Sequence, residues 1–203
     1  MNKIKDLYYL RAFGYEFIEQ DIYNQTLTND QKTLYHQVLQ CKLCHLSKQK
    51  KHAMIEKHIQ HKALMIVSDF ADKNENESGE LLDSKWGEKL KYLLKKYLNL
   101  DRKDFYMSYI FKCFNTYKDT SSLQTCIPYW FNEFALVAPK IVLCLGKDTF
   151  CHFGFENFTK LRGEIFAFNN SLFMPNFDMD YLVKNPSSEA VFIQDLHKLK
   201  GIL

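Results

Sequence analysis

Apolar positions along the chain change period several times, and each change predicts an element. Ile4, Leu7, Tyr8, Leu10, Phe13, Phe17 and Ile18 recur near helical spacing, so residues 1–40 read as helical. Within them, Thr28-Asn29-Asp30 is a start signal for a second helix running toward Leu39. Ala63-Leu64-Met65-Ile66-Val67 is a short unbroken apolar run, the pattern of a strand buried on both faces. A polar loop from Ser68 to Asp83 follows, and then Trp86, Leu90, Leu93, Leu94 and Tyr97 mark one side of an amphipathic helix. Phe105 to Phe111 reads as a second strand, residues 122–137 as a helix, and Lys140 to Gly146 as a third strand ending in glycine. A short helix leads from Lys147 toward Phe153, Ser171-Leu172-Phe173-Met174 forms a fourth strand, and residues 188–199 close the chain as a helix. Strands alternating with helices predict an α/β fold on a mostly parallel, four-stranded sheet.

At 203 residues the chain has the length of one domain, with residues 1–40 as a helical N-terminal extension to a body spanning 41–203. A hydrophobic content of 46% against 25% charged residues excludes a mainly disordered chain, and 15% aromatic residues supply a large core. The net charge of +3 permits a nucleic-acid partner without requiring one. No apolar run is long enough for a membrane span. Asp6, Arg11 and Glu16 interrupt the N-terminal apolar positions too early for a secretory signal, so a cytoplasmic location is expected. In that reducing setting cysteines are more often metal ligands than disulfide partners.

Cysteine spacing then carries the chemistry. Cys41-Lys42-Leu43-Cys44 is a C-x2-C pair, and Cys113 and Cys126 form a second pair separated by twelve residues. Two such pairs suit a tetrahedral zinc or an iron–sulfur cluster, and spacing alone ranks these equally. The competing reading, free thiols packed in a core, fits Cys144 and Cys151 well. Residues 45–62 are rich in Lys and His, which reads as a solvated face or as a phosphate-contacting surface. Pro128-Tyr129-Trp130-Phe131-Asn132 reads as a packed helix or, less simply, a protein-binding face.

The order of several short motifs resembles the family 4 (iron–sulfur) uracil-DNA glycosylases of the uracil-DNA glycosylase superfamily. The likeness runs from Cys41-Lys42-Leu43-Cys44-His45-Leu46, through Asp101 to Tyr106 and Phe111-Lys112-Cys113, to Cys126 with Pro128. It continues with Ala138-Pro139-Lys140 to Leu145-Gly146, Leu161-Arg162-Gly163, and Tyr181-Leu182-Val183-Lys184-Asn185-Pro186 followed by Asp195-Leu196. The resemblance implies a three-layer α/β sandwich and a structural [4Fe–4S] cluster on Cys41, Cys44, Cys113 and Cys126, with zinc as runner-up. It also implies DNA as partner, a role in DNA repair or replication, and a repair or replication protein as a second partner.

The positions that do chemistry in that family are replaced here. Asp69, in Ser68-Asp69-Phe70-Ala71-Asp72, falls where the family has Glu in Gly-Glu-x-Pro-Gly, and the glycines and proline are missing. Leu82 takes the slot of the base-stacking aromatic, and Tyr109 that of the base-reading Asn, which presents a donor and an acceptor that a phenol lacks. Asp178 stands where the family has its catalytic His, and an ionised carboxylate there repels a developing uracil anion. The resemblance thus makes Asp69 and Asp178 the candidate catalytic groups, and Phe70, Leu82 and Tyr109 the base-pocket positions. Lys50, Lys51, Arg162 and Lys184 are the candidate DNA contacts. Three readings follow: a diverged DNA-binding member without ordinary uracil excision, an active glycosylase using these carboxylates on uracil or another damaged base, and a metal-stabilised interaction module.

Overall fold

Strands too apolar to leave either face in water need helices on both sides. That is the arrangement in a computed structural model of the chain, which describes residues 30–117 and 119–203. Strands β1 (Leu64–Ser68), β2 (Phe105–Tyr109) and β3 (Ile141–Leu145) are buried at every position. With β4 (Phe166–Phe168) and β5 (Ser171–Asn176) they form one sheet in the order β2-β1-β3-β5-β4. The first four pair in parallel, and β4 joins the edge antiparallel, Phe166 opposite Phe173.

The pleat sorts side chains into two cores. Met65, Val67, Val142 and Cys144 face one side, packed with Leu34, Val38, Trp130 and Phe150. Leu64, Ile66, Ile141 and Leu143 face the other, packed with Leu90, Leu94, Leu182, Phe192 and Leu196. The first side is covered by α1 (Gln31–Leu39), α4 (Leu123–Val137), α5 (Lys147–His152) and α6 (Phe158–Leu161). The second is covered by α3 (Lys85–Leu98), α7 (Met179–Lys184) and α8 (Glu189–Leu199). The result is the three-layer α/β sandwich expected.

Three details differ from the sequence reading. The sheet has a fifth strand, a three-residue edge piece whose hairpin turns at Asn169, held at φ +50°. The predicted loop after β1 contains α2 (Lys73–Ser78), a polar helix held by a capping box between Asp72 and Glu75 and ended by Gly79 at φ +75°. Helix α1 starts at the expected place, capped by the Asp30 carboxylate, but it packs on α4 with Leu34 and Val38 fully buried in the main core. The rest of the predicted extension, residues 1–29, lies outside the described residues. The aromatic stretch of α4 is packed: Trp130 is fully buried and meets the rings of Phe131, Phe134 and Phe153. No helix among the described residues is long and apolar enough to cross a membrane.

Candidate functional site

The four expected cysteines come from three places and meet on one core. Cys41 follows the end of α1, Cys44 caps a 3-10 turn over His45–Lys48, Cys113 follows β2, and Cys126 sits in the first turn of α4. Cys113 and Cys126 are buried, and half-buried Cys41 and Cys44 pack against the same cluster. Burial pushes the Cys113 thiol up to about 12 and the Cys126 thiol up to about 11. Cys113 also feels Cys126, Cys44 and Cys41 as like charges, and Cys126 feels Cys44 and Cys41. Against burial work the Lys50 charge at Cys113, and a hydrogen bond from the Lys112 backbone at Cys126. Among the described residues no three Cys, His, Asp or Glu side chains are gathered closely enough to clasp a single metal ion.

The tetrad is framed by buried polar groups. Lys112, next to Cys113, forms an ion pair with Glu133 of α4, and both side chains are essentially excluded from water. Glu133 also accepts from Tyr106 Oη at 2.9 Å and Ser108 Oγ at 2.5 Å. Burial pushes the Glu133 carboxyl up, and the Lys112 ammonium opposes that shift. Asn115, in the loop between Cys113 and Cys126, accepts from Tyr117 N–H at 2.9 Å, which fixes its amide orientation. Its buried Nδ2 then has no partner among the described residues. A sulfur acceptor is the kind of group that this donor lacks.

A crevice opens at the C-terminal ends of β1 and β3, where the chain's crossovers turn in opposite directions along the sheet. In parallel α/β sheets this is where ligands bind. Asp69 and Phe70 leave β1 into it, Asp148 begins α5, Asp178 begins α7, and Trp86 of α3 forms a wall. Gly146, at φ +100°, lets α7 come close: a Cβ there would lie 3.3 Å from Asp178 Cβ. Asp178 caps α7 by accepting from Tyr181 N–H at 2.5 Å. Asp69 accepts from Phe70 N–H at 2.7 Å. The Phe70 ring stacks on Phe111 with centroids 4.1 Å apart, and Phe111 meets the His152 ring edge-on. Burial holds the His152 imidazole below its usual range, partly offset by Asp69 and then Asp148.

The structure therefore brings Asp69, Phe70 and Asp178 together at the crevice. It places Leu82 and Tyr109 elsewhere, in a knot around Glu75 of α2. Glu75 accepts from Tyr109 Oη, Leu82 N–H and Asp72 N–H. Burial pushes this carboxyl up, opposed first by the Tyr109 hydrogen bond. Leu82 is fully buried with φ +66°, and Gly87 is required beside it, since a Cβ there would lie 2.4 Å from Leu82 O. The Trp86 ring meets Tyr109 edge-on, joining the knot to the crevice wall.

Three of the four candidate DNA contacts are tied to other groups. Lys50 donates to main-chain carbonyls around Cys41. Lys51 pairs with Glu77 on the surface. Arg162 pairs with buried Asp195 and lies over the Phe177 ring. Lys184 is exposed at the end of α7. Sequence reasoning missed Trp86, Asp148, His152 and Glu75; the one available signal was the strand-ending Gly146, which marks where a helix start meets the crevice.

These features define an α/β protein with a crevice at the ends of its parallel strands and four cysteines packed on one of its two cores. The model of the Uracil DNA glycosylase superfamily matches residues 56–200, and the chain belongs to that superfamily. The chain is similar to the type-4 uracil-DNA glycosylase of Sulfurisphaera tokodaii, 23% identical over 179 residues that cover 82% of this chain and 81% of that protein. It is also 23% identical to the type-4 uracil-DNA glycosylase of Saccharolobus solfataricus over 180 residues, covering 82% of this chain and 83% of that protein.

Proposed function

We propose that this chain is a DNA-binding member of the superfamily, linked to DNA repair, in which the tetrad holds a [4Fe–4S] cluster and uracil excision has been lost. The observation that carries this reading is the Tyr109–Glu75–Leu82 knot. It engages at Glu75 the two residues that the resemblance assigns to reading and stacking a flipped base, and neither of them lines the crevice. Asp178 adds to the loss: removing one anion-stabilising donor costs about 2.7–4 kcal/mol of transition-state stabilisation, and a carboxylate in its place repels the leaving uracil further.

The resemblance to the type-4 glycosylases supports the cluster, and a single zinc, which binds sulfur at about 2.3 Å, is the alternative occupant of the same four thiols. When bound, such a cluster supplies thiolate cross-links joining the end of α1, the segment after β2 and the start of α4. Cys41, Cys44, Cys113 and Cys126 would hold it. Titration of labelled oligonucleotides tests the DNA reading: affinity should fall steeply with salt, and uracil in the strand should be bound or ignored but not released. Salt-independent or absent binding would leave the chain as an interaction module.

A second reading, an active glycosylase with altered chemistry, is favoured by one observation. The crevice gathers Asp69, Asp148, Asp178 and Asp180 between Phe70 and Trp86, and among the described residues neither Lys nor Arg lines it. Such a lining suits a cationic substrate. A ring-alkylated purine nucleotide is cationic: on cleavage of the C1′–N bond the electron pair passes to the base, which leaves neutral and needs no anion-stabilising donor. Water then adds to C1′ and a carboxylate takes its proton. Release of N7-methylguanine from methylated DNA, lost in Asp178→Asn, is the expected result on this reading; no release would remove it.

A further inference from the structure

The lysine that the sequence suggests for DNA turns inward to the thiol tetrad. Lys50 is half-buried, and its Nζ lies 3.4 Å from Val38 O, 3.0 Å from Leu39 O and 3.2 Å from Cys41 O. Two of these carbonyls belong to the last turn of α1 and the third to a tetrad cysteine. An ammonium at a helix C-terminus satisfies orphan acceptors and complements their partial negative charge. Three partial charges do not cancel a full one, and among the described residues no carboxylate forms an ion pair with Lys50. The second lysine near the tetrad, Lys112, is already neutralised by Glu133. One compensated and one uncompensated ammonium therefore flank the four sulfurs.

We infer that Lys50 is the counter-charge for an anionic thiolate-bound cluster, holding the Cys41 end of the tetrad in place and raising the cluster's reduction potential. This rests on the [4Fe–4S] reading above. Four thiolates give such a cluster a net negative charge, and reduction adds another electron. A fixed cation in a partly desolvated site favours the more negative, reduced state, because Coulomb energies grow as water is excluded. Lys50 is thus a positioning residue, and its carbonyl anchors keep the ammonium from swinging into solvent.

The test starts with anaerobically purified wild type assayed for iron and acid-labile sulfide. Zinc without sulfide would overturn the cofactor reading and this inference with it. With the cluster present, Lys50→Gln keeps a donor for the carbonyls and removes the charge, Lys50→Arg keeps both, and Lys50→Met is read if the Gln variant does not fold. Spectroelectrochemistry should show the neutral variant shifted negative by at least a tenfold change in the reduction equilibrium, about 59 mV for one electron. The Arg variant should stay near wild type, and the neutral variant should bleach faster in air. A neutral variant that keeps its cluster at the wild-type potential would reduce Lys50 to a helix cap and overturn the proposal, leaving the cluster reading intact.

Discussion

The four cysteines gather around the segment after β2 and the crevice opens at the ends of β1 and β3, and the two regions are held differently. Beside the cysteines lies a buried polar frame, Lys112–Glu133 with Tyr106 and Ser108. At the crevice and in the knot beside it stand side chains other than those the resemblance leads one to expect, and two of them do local structural work: Asp178 caps α7 and Tyr109 bonds Glu75. A buried ion pair tolerates little, because losing one partner strands the other in low dielectric. A crevice built from strand ends and helix starts accepts any side chain that satisfies the backbone there. Scaffold and chemistry can therefore separate within one fold.

The largest expected effect would break the tetrad side. Cys113→Ala should bleach the brown colour expected of the cluster and remove most folded protein, read by visible absorption and circular dichroism. Next, Glu133→Gln leaves the Lys112 ammonium buried without its counter-ion and should cost about 3–5 kcal/mol in denaturant titration. On the crevice side, Tyr109→Phe leaves the buried Glu75 carboxylate one donor short and should cost about 1–3 kcal/mol. Asp178→Ala removes a helix cap and should cost about 1 kcal/mol, while Asp178→Asn should be close to neutral. If the Asp178 pair instead behaved like the Glu133 variant, the contrast between tolerant crevice and intolerant frame would fail.

The smallest effect is a pH slope. Burial raises the folded pKa of Glu75 above its ordinary 4.5, so the folded state holds its proton where the unfolded chain has lost it. That contribution to stability is full below pH 4.5 and is lost as pH rises from there through the raised folded pKa. Glu75→Gln should flatten the fall, measured as the denaturation midpoint against pH.

Strands β1 to β3 were legible because each is a continuous apolar run, and α1 because Asp30 is a helix-capping residue in front of apolar positions at helical spacing. Strand β4 was not, because three half-exposed residues carry no period. Helix α2 was hidden because KNENES has no apolar face and depends on its caps. The cysteines stood out through spacing within short segments. The crevice did not, because Phe70, Trp86, Asp148 and Asp178 are distant in sequence and meet only through the sheet order. Lys50 and Lys51 are neighbours in one basic run, yet one turns to the Cys41 carbonyl and the other to Glu77, a difference that charge counting does not contain.

On the proposed function, this fold keeps its superfamily scaffold without uracil excision. Single-turnover incubation of iron-replete protein, in excess over single- and double-stranded oligonucleotides carrying uracil, tests it most directly, with abasic sites revealed by alkaline cleavage. Cleavage should be no greater than in protein-free controls. Conversion of the uracil strand would contradict it and return Asp69 and Asp178 to the centre of a working uracil-excising site.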